Sequence, residues 1–131
     1  MPYKKRSETS LQVVIDQKVI FQSNGKWLYP LFDLEEFIAA NPIPLSRAFI
    51  HDKVIGKAAA LLLVRLGAGR IHGEVMSQLA RQVLTHNAIS HTYDRLVPRI
   101  DCQTETLLQE IDDPEIAYQI LCERAQRCKE G

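Results

Sequence analysis

The chain has 131 residues, with 16 Lys and Arg against 16 Asp and Glu, four His, three Cys and 46% hydrophobic residues. A single domain of this length buries about two-thirds of the surface its unfolded chain exposes. A formal net charge of zero offers no broad field for nucleic acid or another polyanion, and the longest apolar run, Ala58 to Val64, is far shorter than the about 20 residues a membrane span needs.

Lys4-Lys5-Arg6 leads into polar Ser7-Glu8-Thr9-Ser10 rather than an apolar signal core, so the cytoplasm is the expected compartment. Residues 1–10 are expected to form a flexible N-terminus and residues 11–131 a single domain. Cys102, Cys122 and Cys128 are odd in number and form no C-x-x-C pair, which predicts reduced thiols and no cysteine-based metal site.

In chain order, Leu11–Ile15 and Lys18–Phe21 are β-branched runs separated by Asp16-Gln17, the pattern of a hairpin whose turn lacks the usual glycine. Asn24-Gly25 marks a second turn. Apolar Leu31, Leu34, Phe37 and Ile38 with Glu35-Glu36 between them predict an amphipathic helix over 31–40, ended by Pro42 and Pro44. A longer helix is predicted from Asp52, a good N-cap, through Leu66, with Gly67 just past its end. Apolar residues cover nearly every face of it, as in a helix buried on most sides. Arg70–Val75 reads as a strand, Ser77–His86 as a helix capped by Ser77, Ile89–Tyr93 as a strand and Leu96–Ile100 as a short edge strand containing Pro98. Thr104–Ile111 and Pro114–Arg127 are predicted helices, the last opened by Asp113-Pro114-Glu115. This alternation implies an α/β sheet with helices on its faces.

The start of the 52–66 helix carries the strongest chemical signal. In a helix from Asp52, Lys53 and Lys57 lie one turn apart with Gly56 beside them, where the helix end is already positive. Free first-turn amides, a glycine permitting close approach and two ammonium groups would make a phosphate or carboxylate site. The structural alternative is that Asp52 caps locally, both lysines reach solvent, and Gly56 lets a neighbouring element come near. The order is wrong for a P-loop, whose glycines precede its lysine.

Asp52-Lys53-Val54-Ile55-Gly56-Lys57-Ala58-Ala59-Ala60-Leu61, with Glu74-Val75-Met76-Ser77 and Tyr93-Asp94-Arg95-Leu96-Val97-Pro98, resembles a small prokaryotic family known only as a domain of unknown function. The resemblance runs from about Leu11 to about Tyr118. It implies a fold similar to the cytidine deaminases, a three-layer α/β/α sandwich with a mixed sheet, and supplies no activity. Zinc deaminases take a His or Cys and an acid from H-x-E at one helix start and two thiolates from C-x-x-C at the next. The matching positions here are His51, Lys53, Ser77 and Ala80, so the acid and both cysteines are missing and no metal is expected.

In the resembling family an Asn-Arg pair and a Gly-containing loop precede C-P-x-E at a helix start. Here Cys102-Gln103-Thr104-Glu105 keeps the outer residues, Gln103 replaces the proline, and the loop between Ile100 and Cys102 is lost. Cys102 at a helix start would be an activated thiol and Glu105 a ligand contact or acid/base; alternatively Cys102 is a small buried residue and Glu105 closes a capping box. His72, His86 and His91 show no metal-ligand spacing. Trp27, Tyr29 and Phe32 are either a ligand-stacking patch or packing, and Glu74, near a strand's carboxyl end, is a candidate pocket residue.

The expectation is a metal-free, cofactor-free scaffold that binds a phosphate-bearing small molecule, nucleotide or ADP-ribose-like, through Asp52, Lys53, Gly56, Lys57 and Ser77. The alternatives are a non-metal enzyme using Cys102 and Glu105, or a structural homo-oligomer without a ligand. The nucleotide class comes from fold analogy.

Overall fold

Leu11–Ile15 (β1) and Lys18–Ser23 (β2) form the predicted hairpin in the computed structural model, which describes residues 9–100 and 103–126. Asp16 and Gln17 take φ of 51° and 66°, and Ile15 pairs with Lys18 across them. This is a type I′ turn, in which two left-handed residues match the twist of the strands, reached without glycine. Helix α1, Tyr29–Ala40, starts earlier than the apolar spacing indicates because Pro30 fits its first turn, where a missing N–H is no loss.

Asp52 does not cap a helix; it lies inside β3, Phe49–Ile55, in register with Leu11 of β1 and with Gly73 of the next strand. Tertiary pairing on both sides overrides the local capping signal, and Ile50, Val54 and Ile55 suit an extended backbone. Helix α2 runs from Lys57 to Leu66, with Gly56 at its N-cap. Gly67 closes it as predicted, at φ 82°, with the Ala68 N–H donating to the Leu63 carbonyl at 3.1 Å.

Strand β4 spans Arg70–Ser77, and helix α3 spans Gln78–His86. Ser77 caps α3 as predicted, its Oγ accepting from the Ala80 N–H at 3.0 Å. Strand β5, Ser90–Val97, is one unbroken strand rather than two, since Arg95 and Leu96 continue its pairing with Val75 and Met76; Pro98 stands just beyond it. Helix α4 is only Gln103–Leu107, and α5 is Pro114–Ala125, opened by Asp113, whose Oδ1 accepts from the Glu115 N–H at 2.8 Å.

The five strands lie in the order β2-β1-β3-β4-β5, with β1 antiparallel to both neighbours and β3, β4 and β5 parallel. The β2-α1-β3, β3-α2-β4 and β4-α3-β5 connections all advance across the sheet in one direction, so their right-handed crossovers put all three helices on one face. Helix α2 packs against α1, α3 and α5 there, over Leu11, Val13, Ile50 and Ile71 of the sheet. Residues 57–63 of α2 are all buried, as its apolar surface predicts. The other face carries a polar row in register: Gln22, Gln12, His51, His72 and Thr92. The mixed α/β sheet is therefore present, while a second helical layer on the polar face is not seen among the described residues.

Arg65 ties three helices together. Its Nε and Nη1 donate to Glu115 of α5 at 2.6 Å and Glu35 of α1 at 2.8 Å, and its guanidinium lies 3.6 Å from the centre of the Tyr118 ring. Burial opposes its charge, but the bonds and attraction of Glu35, then Glu115, hold it above its ordinary pKa. Burial, then the Glu35 charge, pushes the Tyr118 phenol up, with Arg65 opposing. Arg65→Ala is expected to lose about 1–2 kcal/mol, combining an exposed ion pair, a partly buried one and a cation–π contact. The loss should be smaller in high salt, as urea denaturation at two ionic strengths would show.

Candidate functional site

Helix α2 begins with no Ser, Thr, Asp or Asn at its N-cap, because Gly56 is there. Its negative partner comes from far along the chain. Glu105 of α4 is 1% exposed, and its Oε2 accepts from the Lys57 N–H at 2.9 Å and from Ser77 Oγ at 2.6 Å. Its Oε1 accepts from the Ile100 N–H at 2.8 Å. One buried carboxylate thus joins the starts of α2 and α3, placed where the helix dipoles and a charge-assisted bond favour it. A Cβ on Gly56 would sit 3.2 Å from Glu105 Oε2, so a larger residue at this N-cap would press on the carboxylate.

Beside this network lies a cavity of about 510 Å³. It is bounded by the first turn of α2, the end of β3, the 24–28 turn before α1, and Ile100 and Glu105. Its walls are largely apolar, from Trp27, Leu28, Val54 and Ile100, while Lys26 and Lys53 supply positive charge. The N–H groups of Ala58 and Ala59, second and third in α2, face no acceptor among the described residues.

Of the expected site residues, Asp52, Lys53, Gly56, Lys57 and Glu105 all line this cavity, and Ser77 stands behind it against Glu105. Their arrangement differs from the expected one. Lys53 belongs to β3, where its backbone N–H donates to the Ser10 carbonyl at 2.8 Å, so it does not share a helical turn with Lys57. Lys57 Nζ is held 2.9 Å from Asp112 Oδ1 and 3.2 Å from the Gln109 carbonyl, in the α4–α5 connection. It anchors that connection. Cys102 lies outside the described residues. Cys122, buried on α5, is disulfide-bonded rather than reduced.

The remaining candidates separate. Glu74 does not line this cavity; its Oε2 lies 3.1 Å from His51 Nε2 on the polar sheet face, because its strand position turns it there. His72 bonds Thr92 Oγ1 at 2.7 Å and lies 3.1 Å from Asp94, and the His51 and His72 rings are 5.0 Å apart. His91 faces the Ile89 carbonyl at 2.8 Å. Among the aromatics, Phe32 packs with Tyr118, whereas Trp27 lines the cavity with Tyr29 edge-on to it at 5.3 Å. The apolar walls at Val54 and Ile100 carry no sequence signal, since only the fold brings them together.

The donor set of a zinc deaminase does not fit. His51 points to Glu74 on the polar face, and Lys53, Ser77 and Ala80 bring neither an acid nor a thiolate. No group of three or more His, Cys, Asp and Glu able to hold a metal occurs among the described residues. No helix among them is long and apolar enough to cross a membrane.

Residues 4–124 match the family described as TM1506, Domain of unknown function (DUF1893). The chain belongs to the DUF1893 family. It is similar to the crystal structure of a DUF1893 family protein (TM1506) from Thermotoga maritima at 2.70 Å resolution. The two share 28% identity over 88% of this chain and 80% of that one, with a TM-score of 0.80. No curated protein matches the chain. DUF1893 membership agrees with the resemblance to a family known only as a domain of unknown function; the 52–61 segment itself is part strand, to Ile55, and part helix, from Lys57.

Proposed function

We propose that this DUF1893 protein binds a phosphate-bearing small molecule, a nucleotide or an ADP-ribose-like compound, in the cavity at the first turn of α2, without a metal. The observation that carries this reading is that the Ala58 and Ala59 amides border the cavity without acceptors, beyond the reach that Glu105 makes to Lys57. Amides at a helix start are anion donors, and Lys53 and Lys26 add charge at the same cavity. Glu105 already neutralises the first amide, so the phosphate belongs one residue further into the helix. The convergence of the α2 and α3 starts on one carboxylate supports a deaminase-like scaffold that has exchanged metal chemistry for binding. Glu105 serves as its keystone rather than as an acid or base, since both of its oxygens hold donors.

Thermal-shift titration with ADP and with ribose 5-phosphate tests this. At a ligand concentration of 100 times Kd, binding adds about 2.7 kcal/mol to stability. The double variant Lys26→Ala with Lys53→Ala should show less than half of the wild-type shift, while Lys57→Ala should lower the starting Tm without preventing binding. Absence of any shift with both compounds overturns the reading.

A further inference from the structure

Trp27 has a backbone that its side chain disfavours. Its φ of 56° lies in the left-handed region, where a bulky residue is an outlier and Gly or Asn is at ease. The strain does not serve core packing, for the side chain remains 41% exposed. It holds the indole at the cavity described above and at a second, of about 460 Å³, which Arg124 and Gln103 border. Tyr29 meets the ring edge-on, with the planes at 72°, a contact that steadies the indole while leaving it exposed. Strained residues held at a cavity by their surroundings are a mark of ligand contact.

We propose that Trp27 is the platform on which a planar aromatic ring of the ligand stacks, so that the site selects aromatic phosphates over phosphate sugars. This rests on the cavity being a phosphate-bearing ligand's site, and it adds which residue recognises that ligand's aromatic ring and so sets the selectivity. The indole and the apolar surfaces of Val54 and Ile100 supply the flat part of the site. The Ala58 and Ala59 N–H groups of α2 donate to the ligand's anionic end.

Trp27 is the only tryptophan in the chain, so its fluorescence reports on this contact directly. ADP and ribose 5-phosphate are titrated into the full chain, reading fluorescence and thermal shift together. ADP is expected to quench Trp27, and ribose 5-phosphate to shift Tm with little quenching. Trp27→Asn suits the left-handed backbone, so it should keep its fold and its affinity for ribose 5-phosphate, but lose roughly 5- to 150-fold in affinity for ADP, the span measured for base–aromatic stacking. If ADP raises Tm but leaves fluorescence unchanged, and Trp27→Asn binds it as tightly as the wild type, the stacking proposal is wrong while the phosphate site stands. If neither compound binds, both readings fail.

Discussion

Glu105→Ala is expected to lower the unfolding free energy by about 3–5 kcal/mol. The carboxylate is 1% exposed and accepts from the Lys57 and Ile100 N–H groups and from Ser77 Oγ. Alanine leaves two buried donors and the part-buried Ile100 N–H without acceptors, at about 1–3 kcal/mol each where water does not enter. It also removes the carboxylate that accepts from the first backbone N–H of α2. Ser77 is itself the cap of α3, so the damage reaches two helices. For a domain of this size the loss corresponds to a fall in Tm of about 10–20 °C. Glu105→Gln should recover only part of it, because its amide nitrogen must face one of the donors. Urea midpoints with an unchanged m-value would measure the effect. A loss under about 1 kcal/mol would mean that water replaces the carboxylate freely, and the site would then be far more open than its burial indicates.

Gly69→Ala is expected to cost about 2–4 kcal/mol. The residue lies between α2 and β4, and an added Cβ would fall well inside contact with the Ser46 carbonyl oxygen and 2.7 Å from the Ser46 carbonyl carbon. The obstruction is backbone, in the 3-10 turn Leu45–Arg47 that leads into β3, so no side-chain rotation relieves it. Gly67→Ala is the informative contrast. That residue has φ 82° but nothing within 4 Å of an added Cβ, so only the left-handed penalty of about 1 kcal/mol applies. Equal losses at the two positions would show that the 45–47 turn yields, and that the approach of Gly69 to it is not a fixed part of the fold.

Both predictions concern residues whose importance is hidden along the chain. Gly69 has no special φ, and only the packing of the 45–47 turn against it gives it a role. Glu105 is legible as a helix-start acid, with a ligand contact, an acid/base role or the cap of its own helix as its readings, and none of these points to the start of α2. A distant carboxylate was signalled only by the missing cap before Lys57, and that signal is lost when Asp52 is taken as the cap. The error at Asp52 has a simple origin. An aspartate ahead of lysine, alanine and leucine satisfies every local rule for a helix start, while the pairing of β3 with β1 and β4 comes from segments tens of residues away. A helix starting at Asp52 would set Lys53 and Lys57 on one face; in the fold they diverge, one on a strand and the other bound to Asp112.

What the sequence determined by itself is what nearest neighbours decide. The hairpin follows from two β-branched runs a turn apart, the ends of α2 and α5 from Gly67, Asp113 and Pro114, and the cap of α3 from Ser77. The burial of α2 follows as well, since an apolar helix surface must find cover. The tertiary structure decided the rest: which polar residues meet at the cavity, which turn to the opposite sheet face, and which anion satisfies the start of α2. These are contacts between residues far apart in the chain, and the gain from each exists only after the sheet has brought its partners within hydrogen-bond range. The anion at the start of α2 is Glu105, which reaches the Lys57 N–H from 48 residues along the chain, a partner that no local rule in the sequence supplies.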